Sequence, residues 1–325
     1  MPEYPEITVI IPAYNAGDHL GACLDSVLRQ SFTDWELIIC DDGSTDDTGK
    51  ISDRYSESDS RIKVIHKANA GVSAARNSCL DLAEGRYIAF VDADDTLDKD
   101  YLNELLNNAE KHGADITQCS FCFVNEKGER SSDPYASDSV YTSGDEIMEA
   151  YFSGPVGDIR VSVWAKLFRR DLFDGIRFDT GLRIFEDAYY VYECCRKAGT
   201  VCSFSAPLYF YRQHEDSTMG SRMHEIYPDY FAVFARQKRD NRDKKTIYGN
   251  ILRREAENAL WLMRIMAAPG RKRELWDIRK RVLDSSGTGI FSSVPVRVRS
   301  KLLGMTVMPH IYFAMLKKRI KEENE

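Results

Sequence analysis

Short apolar runs alternate with amphipathic stretches over the first hundred residues of the chain. Four runs rich in β-branched and aromatic residues predict buried strands, namely residues 7–11, 35–40, 62–65 and 87–91. Between consecutive runs, apolar side chains recur at helical spacing, as they do from Leu20 to Leu28. This alternation predicts an α/β fold with a Rossmann-like, doubly wound and mostly parallel sheet.

Local signals predict where some of these elements begin and end. Pro12 has no backbone N–H to give to a sheet, so the first strand is expected to end there. Ser44 and Asp47 have the spacing of a capping box and are expected to open the second helix. Beyond residue 221, apolar residues lie among many basic ones in a pattern that predicts a helical C-terminal extension.

Loops with polar side chains follow three of the predicted strands at their carboxyl ends. They contain Pro12, Ala13, Tyr14 and Asn15 after the first strand, Asp41 and Asp42 after the second, and Asp92, Asp94 and Asp95 after the fourth. In doubly wound sheets ligands bind outside these ends, so the three loops are expected to converge. Carboxylates held this close together are typical of a divalent cation site, and magnesium is commonly bound by one or two carboxylates plus substrate phosphates. The alternative is that the aspartates only cap the helix that follows.

Phosphate sites built on a glycine-rich loop are excluded. The chain has neither G-x-x-x-x-G-K-[ST] nor a G-x-G-x-x-G after the first strand. Phosphate charge would therefore be neutralised by the cation together with Arg or Lys. Arg76, near the start of the third predicted helix, is the best early candidate, and a surface arginine on a helix is the alternative.

Charge is distributed unevenly along the 325 residues. Residues 1–220 carry 21 Lys+Arg and 39 Asp+Glu, whereas residues 221–325 carry 23 and 12. An acidic body argues against nucleic acid as a partner. The basic C-terminal region is compatible with an anionic membrane surface, and packing on the body or pairing in a homodimer are the alternatives.

Cysteine usage and the N-terminus indicate the compartment. Eight cysteines without regular spacing predict reduced thiols that serve in packing, even though Cys119 and Cys122 form a C-x-x-C. Residues 1–6 are polar and acidic rather than basic and then apolar, and no apolar run reaches bilayer-spanning length. We expect a cytoplasmic protein, and a peripheral position on the inner face of the plasma membrane is one of the alternatives for its C-terminal region.

Six segments together resemble the successive signatures of family 2 glycosyltransferases. In order they are Pro12-Ala13-Tyr14-Asn15, Asp41-Asp42-Gly43-Ser44-Thr45-Asp46, Gly71-Val72-Ser73-Ala74-Ala75-Arg76-Asn77, Asp92-Ala93-Asp94-Asp95, Trp164-Ala165-Lys166-Leu167-Phe168-Arg169-Arg170 and Phe185-Glu186-Asp187. The resemblance implies a GT-A fold, a nucleotide-diphospho-sugar donor (a UDP-sugar first), a divalent metal (Mn²⁺ or Mg²⁺) and inversion at the anomeric carbon. It also implies a hydroxyl of a glycan or lipid-linked molecule as the acceptor.

The resemblance assigns roles to residues on the donor side. Pro12, Ala13 and Tyr14, with Asn15, would line the nucleobase and ribose pocket, Asp42 would hydrogen-bond the base, and Asp41 would support the loop. Arg76 would face the nucleotide or order the carboxylates. Asp92, with Ala93, would lie near the ribose and the metal, and Asp94 would be the direct metal ligand, while Asp95 extends the motif or caps the next helix.

The acceptor hydroxyl is a poor nucleophile and requires a positioned base. By resemblance the base is Asp187, followed by Glu186, and helix capping is the alternative role for this pair. Arg212 or His214, at the end of a strand-like run, would contact the donor diphosphate, and a structural role is the alternative. The polar segment 216–221 is expected to close over the donor.

Three regions are expected along the chain. Residues 1–115 would form a nucleotide-sugar-binding half, residues 116–220 the acceptor-binding half of the same GT-A domain, and residues 221–325 a helical basic region. There are two rival functions. A sugar-phosphate nucleotidyltransferase would carry a glycine-rich loop after the first strand, which is absent. A non-catalytic nucleotide-sugar-binding module would have lost turnover, and the presence of Asp94 and Asp187 argues against it.

Overall fold

The computed structural model describes residues 4–154, 157–213, 223–266, 271–286 and 294–324. The chain divides into two compact units. Residues 1–151 with 157–215 form the first unit, and residues 152–156 with 216–325 form the second. The strands of the predicted halves 1–115 and 116–220 belong to one continuous sheet.

Four strands of the first unit are parallel neighbours. In sheet order they are β3 (Ile62–His66), β2 (Trp35–Asp41), β1 (Ile7–Ala13) and β4 (Tyr87–Phe90). The connections between them carry α1 (Gly17–Leu28), α2 (Thr48–Ser58) and α3 (Val72–Leu80). Every residue of β1, β2 and β4 is buried, as is typical of parallel strands covered on both faces. The predicted α/β class and the parallel arrangement of these strands are confirmed.

A second set of strands continues the same sheet. From β4 the order is β9 (Lys166–Arg169), β6 (Ile116–Val124), β10 (Val201–Arg212) and β5 (Thr96–Leu97). β9 runs antiparallel to both β4 and β6, whereas β6 and β10 are parallel. The short strands β7 (Arg130–Ser132) and β8 (Ser139–Tyr141) pair with β6 and β10. The helices in this part of the chain are α4 (Tyr101–His112), α5 (Gly144–Phe152), α6 (Arg170–Phe173) and α7 (Glu186–Lys197).

The prediction that Pro12 ends the first strand is wrong. Pro12 lies inside β1 and pairs in register with Cys40 of β2. The carbonyl of Ile10 accepts from the N–H of Val91, so the even-numbered residues of β1 direct their backbone polar groups toward β4. Because β4 ends at Phe90, opposite Ile10, the missing N–H of Pro12 removes no bond from the sheet.

The predicted capping box at Ser44 and Asp47 is also wrong. α2 begins at Thr48, and its N-cap residue, Asp47, makes no side-chain capping bond. The hydroxyl of Ser44 is used elsewhere, since its Oγ accepts from the N–H of Asn15 at 2.9 Å. Ser44 therefore joins the loops after β1 and β2 instead of starting a helix.

An aromatic cluster holds β9 and α7 against β4. Phe90 makes edge-on contacts with Phe168 of β9 and with Tyr190 of α7, at centroid distances of 6.0 and 5.7 Å. Phe178 stacks on Tyr190 at 4.0 Å and meets Phe90 at 5.4 Å. Because Phe90 is the last residue of β4, the cluster places the first turns of α7 near the carboxyl end of that strand.

The second unit is helical. Its helices are α8 (Met223–Asp240), α9 (Lys245–Ile265), α10 (Lys272–Ser286), α11 (Val296–Val307) and α12 (Pro309–Asn324). A buried ion pair joins α8 to α9, where Lys238 Nζ lies 2.7 Å from a carboxylate oxygen of Glu255. Among the described residues, no helix combines the length and the apolar character needed to cross a bilayer.

The cysteines serve in packing, as expected. All eight are unpaired and buried, including Cys119 and Cys122 of β6. No disulfide contributes to the fold.

Candidate active site

The loops after β1 and β2 are tied to each other by side chains. The Oδ1 of Asn15 accepts from the N–H of Thr45 at 2.9 Å, in addition to the backbone contact of Asn15 with Ser44. Asn15 has a φ of 49°, a left-handed conformation that asparagine tolerates better than most residues. Pro12 and Ala13 are buried, whereas Tyr14 is 53% exposed. Of the residues expected to line a nucleobase pocket, Tyr14 and Asn15 are therefore accessible to a ligand, and Tyr14 is the aromatic one.

Asp41 and Asp42 hold the loops around them. Asp41 accepts from the N–H of Ser44 at 3.0 Å and lies 3.1 Å from Nδ1 of His66. Burial raises the pKa of Asp41, but these hydrogen bonds outweigh burial and hold it below its ordinary value. Asp42 accepts from Lys67 Nζ at 2.6 Å and from the N–H of Gly71 at 2.7 Å, which fixes the start of α3. Asp41 thus supports its loop, and the contact of Asp42 with a base stays a prediction.

Asp95, the last residue of the acidic motif after β4, has a structural position. It is 1% exposed, its Oδ2 accepts from the hydroxyl of Tyr209 at 2.6 Å, and its Oδ1 accepts from the N–H of Arg212 at 2.7 Å. Burial, and then the charges of the neighbouring aspartates, raise the pKa of Asp95 well above its ordinary value. Asp95 fastens the motif to β10, and it is not the cap of the next helix, whose N-cap residue is Asp100.

Arg76 connects the acidic motif to α7. It is 4% exposed, and it donates to Oδ1 of Asp92 at 3.1 Å and to Oε1 of Glu186 at 2.9 Å. Its guanidinium carbon lies 5.2 Å from the ring centroid of Phe178. Burial raises the pKa of Asp92, and the charge of Arg76 opposes that rise. Of the two roles expected for Arg76, its contacts are those of a residue that orders carboxylates.

Asp187 lies in the first turn of α7, next to the carboxylate that Arg76 holds. Burial, and then the charge of Glu186, raise the pKa of Asp187 to about 7, while Arg76 acts in the opposite direction. The preceding Phe185 has a φ of 59°. A left-handed non-glycine residue costs about 1–3 kcal/mol, and such strain is common at functional sites. The start of α7 therefore combines a strained backbone with a carboxyl group that exchanges its proton near neutral pH.

An aromatic wall lies beside the acidic motif, and of its three residues only Trp164 stands in a segment that carries the family resemblance. Trp164 stacks between Tyr209 and Tyr211, with ring centroids 4.8 and 5.2 Å away. The hydroxyl of Tyr209, besides donating to Asp95, accepts from the N–H of Asp92 at 3.2 Å. The aromatic residues near Arg212 are visible in the sequence, but nothing in it pairs Tyr209 with a carboxylate 114 positions away.

Arg212 lies at the acidic motif, and its Nε donates to the carbonyl of Asp94 at 3.1 Å. Its position is compatible with the predicted diphosphate contact, which stays a prediction. His214 and the expected lid segment 216–221 lie outside the described residues.

The end of β4 fits a divalent cation that shares its ligands with a phosphate. Arg76 uses Oδ1 of Asp92, and Oδ2 has no hydrogen-bond partner within the described ranges. Asp94 is partly exposed. In the part of the chain that the structure describes, no three His, Cys, Asp or Glu side chains are placed to hold a metal by themselves. The carboxylates of Asp92 and Asp94, completed by phosphate oxygens, match the coordination that Mg²⁺ commonly has in proteins.

A protein-family model identifies the family of this chain. Residues 8–177 match the model described as glycosyl transferase family 2, which is more than half of the 325 residues. The chain belongs to this family. The matched segment of this family 2 glycosyltransferase contains the loops after β1, β2 and β4, together with Arg76 and Trp164.

Bacterial relatives differ in how much of their length the chain covers. The uncharacterized glycosyltransferase EpsJ of Bacillus subtilis (strain 168) is 34% identical over 215 residues, which are 66% of this chain and 62% of EpsJ. The uncharacterized glycosyltransferase YibD of Escherichia coli (strain K12) is 30% identical over 317 residues, which are 92% of this chain and 89% of YibD. The chain therefore spans less than two thirds of EpsJ and most of YibD.

Solved structures share the fold. S. aureus TarS 1-349 in complex with UDP-GlcNAc matches with a TM-score of 0.77 and 19% identity, covering 98% of this chain and 92% of that one. The mannosyltransferase PcManGT from Pyrobaculum calidifontis, in complex with GDP-Man and Mn²⁺, matches with a TM-score of 0.56 and 15% identity, covering 98% and 86%. The predicted GT-A-type α/β fold with a helical C-terminal region is confirmed by the likeness to TarS.

Proposed function

We propose that this family 2 glycosyltransferase moves a hexosyl group from a UDP-sugar to a hydroxyl of a glycan or lipid-linked acceptor, with inversion and with a divalent cation as cofactor. The observation that carries the proposal is the pair of hydrogen bonds by which Arg76 joins Asp92 to Glu186. These bonds hold the start of α7, where a candidate base lies, next to the candidate metal ligands after β4. Acceptor activation and leaving-group stabilisation would then act in one place.

Asp187 is the base in this proposal. Oε1 of Glu186 is held by Arg76 at 2.9 Å, and the Glu186 side chain is 12% exposed. Asp187, with a pKa raised to about 7, is partly ionised at neutral pH and can take the proton of the acceptor hydroxyl. The hydroxyl oxygen forms a bond to the anomeric carbon on the face opposite the nucleotide. The bond to the phosphate oxygen breaks, and its electron pair leaves with the diphosphate.

The departing diphosphate develops negative charge at the end of β4. Asp94 and Asp92 would hold a divalent cation there, which supplies Lewis-acid stabilisation of that charge. Arg212 brings a fixed positive charge to the same loop, since its Nε contacts the carbonyl of Asp94. The Mn²⁺ in the PcManGT structure, which shares this fold, supports Mn²⁺ as the first ion to test.

Two observations support a UDP-sugar as the donor. The TarS structure that shares the fold contains UDP-GlcNAc. Tyr14, exposed at the carboxyl end of β1, offers an aromatic surface to a nucleobase. The family match removes the support for a sugar-phosphate nucleotidyltransferase. A cytoplasmic location, where nucleotide sugars are available, remains part of the proposal.

Binding and turnover test the proposal separately. Thermal shifts with UDP-, GDP-, dTDP- and CDP-sugars and Mn²⁺ or Mg²⁺ are expected to show cation-dependent stabilisation by a UDP-sugar, because ligands of the folded state raise its stability. UDP release with a panel of hydroxyl acceptors measures turnover. Asp94→Asn should remove the cation dependence of binding. Asp187→Asn should retain binding and lose turnover by roughly 10²–10⁴-fold.

Asp171→Asn is the matched control, because its side chain is 77% exposed on α6 and the same functional group is changed. It should behave as the wild type does. Unchanged cation-dependent transfer in Asp94→Asn would show that the metal assignment is wrong. Binding of a UDP-sugar without release of UDP from any acceptor would instead favour the non-catalytic binding module.

A further inference from the structure

Exposed apolar side chains are concentrated in the last two helices. Thirteen large apolar or aromatic side chains are exposed within the described residues, and six of them lie in α11, α12 and the turn between them. These six, here called the outer stripe, are Val296, Leu303, Val307, Met308, Ile311 and Met315, with exposed fractions between 46% and 76%. Single apolar residues are normal on a protein surface, but a concentration of this kind indicates an interaction site.

Helical spacing places the outer stripe on one side of each helix. Val296, Leu303 and Val307 of α11 follow each other at intervals of seven and four residues, and Ile311 and Met315 of α12 are four apart. Four other apolar side chains of the two helices are buried, namely Val298, Leu302, Met305 and Phe313, and Tyr312 and Leu316 are half-buried. Each helix therefore has an inner apolar side for packing and a second apolar side that is exposed among the described residues.

The same segment is strongly basic. Residues 296–324 contain seven Lys or Arg and two acidic residues, Glu322 and Glu323, which lie at the end of α12. Arg297, Lys301 and Lys318 are exposed. Residues 221–284 are also basic, with 16 Lys+Arg and 9 Asp+Glu, so α11 and α12 share the positive charge of a C-terminal region that would be attracted to an anionic surface.

Charge and apolar exposure together indicate what binds to the outer stripe. A second copy of this chain, paired by a two-fold axis, would bring the same patch against itself and would set these cations against each other. The cores of protein interfaces are also depleted in lysine. An anionic bilayer matches both features of the two helices. Its headgroups attract Lys and Arg, and its acyl boundary accepts apolar side chains.

We infer that α11 and α12 lie on an anionic membrane surface, with the outer stripe at the acyl boundary and the basic side chains among the headgroups. The binding is interfacial, because neither helix is able to cross a bilayer. The outer stripe and the basic side chains share no residue with the active site, so membrane attachment does not depend on the transfer reaction.

Flotation of the full chain with vesicles tests the inference. The wild type should float with vesicles of phosphatidylcholine and phosphatidylglycerol, should float poorly with phosphatidylcholine alone, and should be released by high salt. The triple variant Leu303→Ser/Ile311→Ser/Met315→Ser should partition at least about tenfold more weakly. The pair Arg297→Gln/Lys301→Gln should lose much of the preference for phosphatidylglycerol.

A matched control separates the stripe from apolar exposure in general. Leu82→Ser/Val140→Ser removes two side chains that are 48% and 42% exposed elsewhere on the protein, and it should float as the wild type does. Thermal unfolding of every variant checks that the fold is kept. Absence of flotation with anionic vesicles, equal flotation with neutral ones, or wild-type flotation of the triple variant would overturn the inference. A dimer in light scattering that the triple variant dissociates, with no vesicle binding, would assign the stripe to copy–copy contact instead.

Discussion

Replacing Arg76 by methionine tests the link between the acidic motif and α7 most directly. Methionine keeps an unbranched side chain against Phe178, but it removes the charge and both hydrogen bonds, to Asp92 and to Glu186. The two carboxylates then remain near Asp187 with no cation between them. Stability should fall, and the carboxyl groups should hold their protons to higher pH.

The size of the loss follows from burial. Removing one partner of a buried ion pair costs about 3–5 kcal/mol, whereas exposed pairs contribute about 0–1 kcal/mol. The Arg76 side chain is 5% exposed and that of Glu186 is 12% exposed, but that of Asp92 is 29% exposed and partly screened by water. The free energy of unfolding at pH 7 should therefore fall by about 3 kcal/mol, at the lower end of the buried range.

The loss should depend on pH in a defined direction. Burial already raises the pKa of Asp92 above its ordinary value, and the charge of Arg76 limits that rise. In Arg76→Met the folded-state pKa of Asp92 lies higher still, so the folded variant binds a proton at a pH at which the unfolded chain does not. Its relative stability is then lost as pH rises through that pKa and recovered as pH falls. The difference between variant and wild type should be largest at neutral pH and shrink in acid.

Urea denaturation at neutral and mildly acidic pH measures both effects, with the slope m checked for each variant. Arg86→Met is the matched control, because Arg86 pairs with Glu6 at 3.0 Å but is 56% exposed, and its loss should stay below about 1 kcal/mol. A loss in Arg76→Met as small as in this control would refute the reasoning. So would a loss that does not change between the two pH values.

Three further predictions concern single side chains. The kcat/KM for sugar transfer, obtained from initial rates, should rise with pH through about 7, because the ionised form of Asp187 is required. A flat pH profile across that region would exclude Asp187 as the base. Tyr209→Phe should lower the free energy of unfolding, measured by urea denaturation, by about 1–3 kcal/mol, because the buried Asp95 would lose its 2.6 Å hydrogen bond from the hydroxyl. An unchanged free energy of unfolding would mean that water replaces the hydroxyl. Lys166→Met should raise stability at pH 7 by about 2 kcal/mol or more, because burial lowers the pKa of Lys166 from 10.5 to about 7. Between pH 7 and 10.5 the unfolded chain binds this proton and the folded chain does not, so wild-type stability rises with pH over that range. The stability advantage of Lys166→Met should therefore shrink as pH rises. An advantage that grows with pH in thermal or urea unfolding would contradict this explanation.

The parallel half of the sheet could be predicted from local pattern. The runs 7–11, 35–40, 62–65 and 87–91 differ from β1, β2, β3 and β4 by no more than two residues at an end. Strands that are covered on both faces are apolar throughout, so their sequence marks them without reference to the rest of the chain. The error at Pro12 arose because the end of the neighbouring strand β4 decides whether the missing N–H of Pro12 removes a hydrogen bond from the sheet.

Contacts between distant segments could not be predicted in this way. The insertion of β9 between β4 and β6 depends on packing that no local pattern expresses. Arg76 and Glu186 are 110 positions apart, and one sequence does not say which arginine meets which carboxylate. Judged by residue type alone, the adjacent acids Glu186 and Asp187 are equally suitable as the catalytic base. Their surroundings in the structure differ, because Arg76 holds Glu186 and burial raises the pKa of Asp187, and the choice of Asp187 as the base stays a proposal.

The position of β10 in the sheet has a consequence for biogenesis. This strand follows every other strand of the sheet in the chain, and its Tyr209 supports the acidic motif from 114 positions downstream of Asp95. On the ribosome, the four parallel strands emerge first and can associate while Tyr209 is still unsynthesised. A truncated translation product that ends before β10 therefore lacks the support beneath its acidic motif, and it should be inert toward the cell's sugar nucleotides.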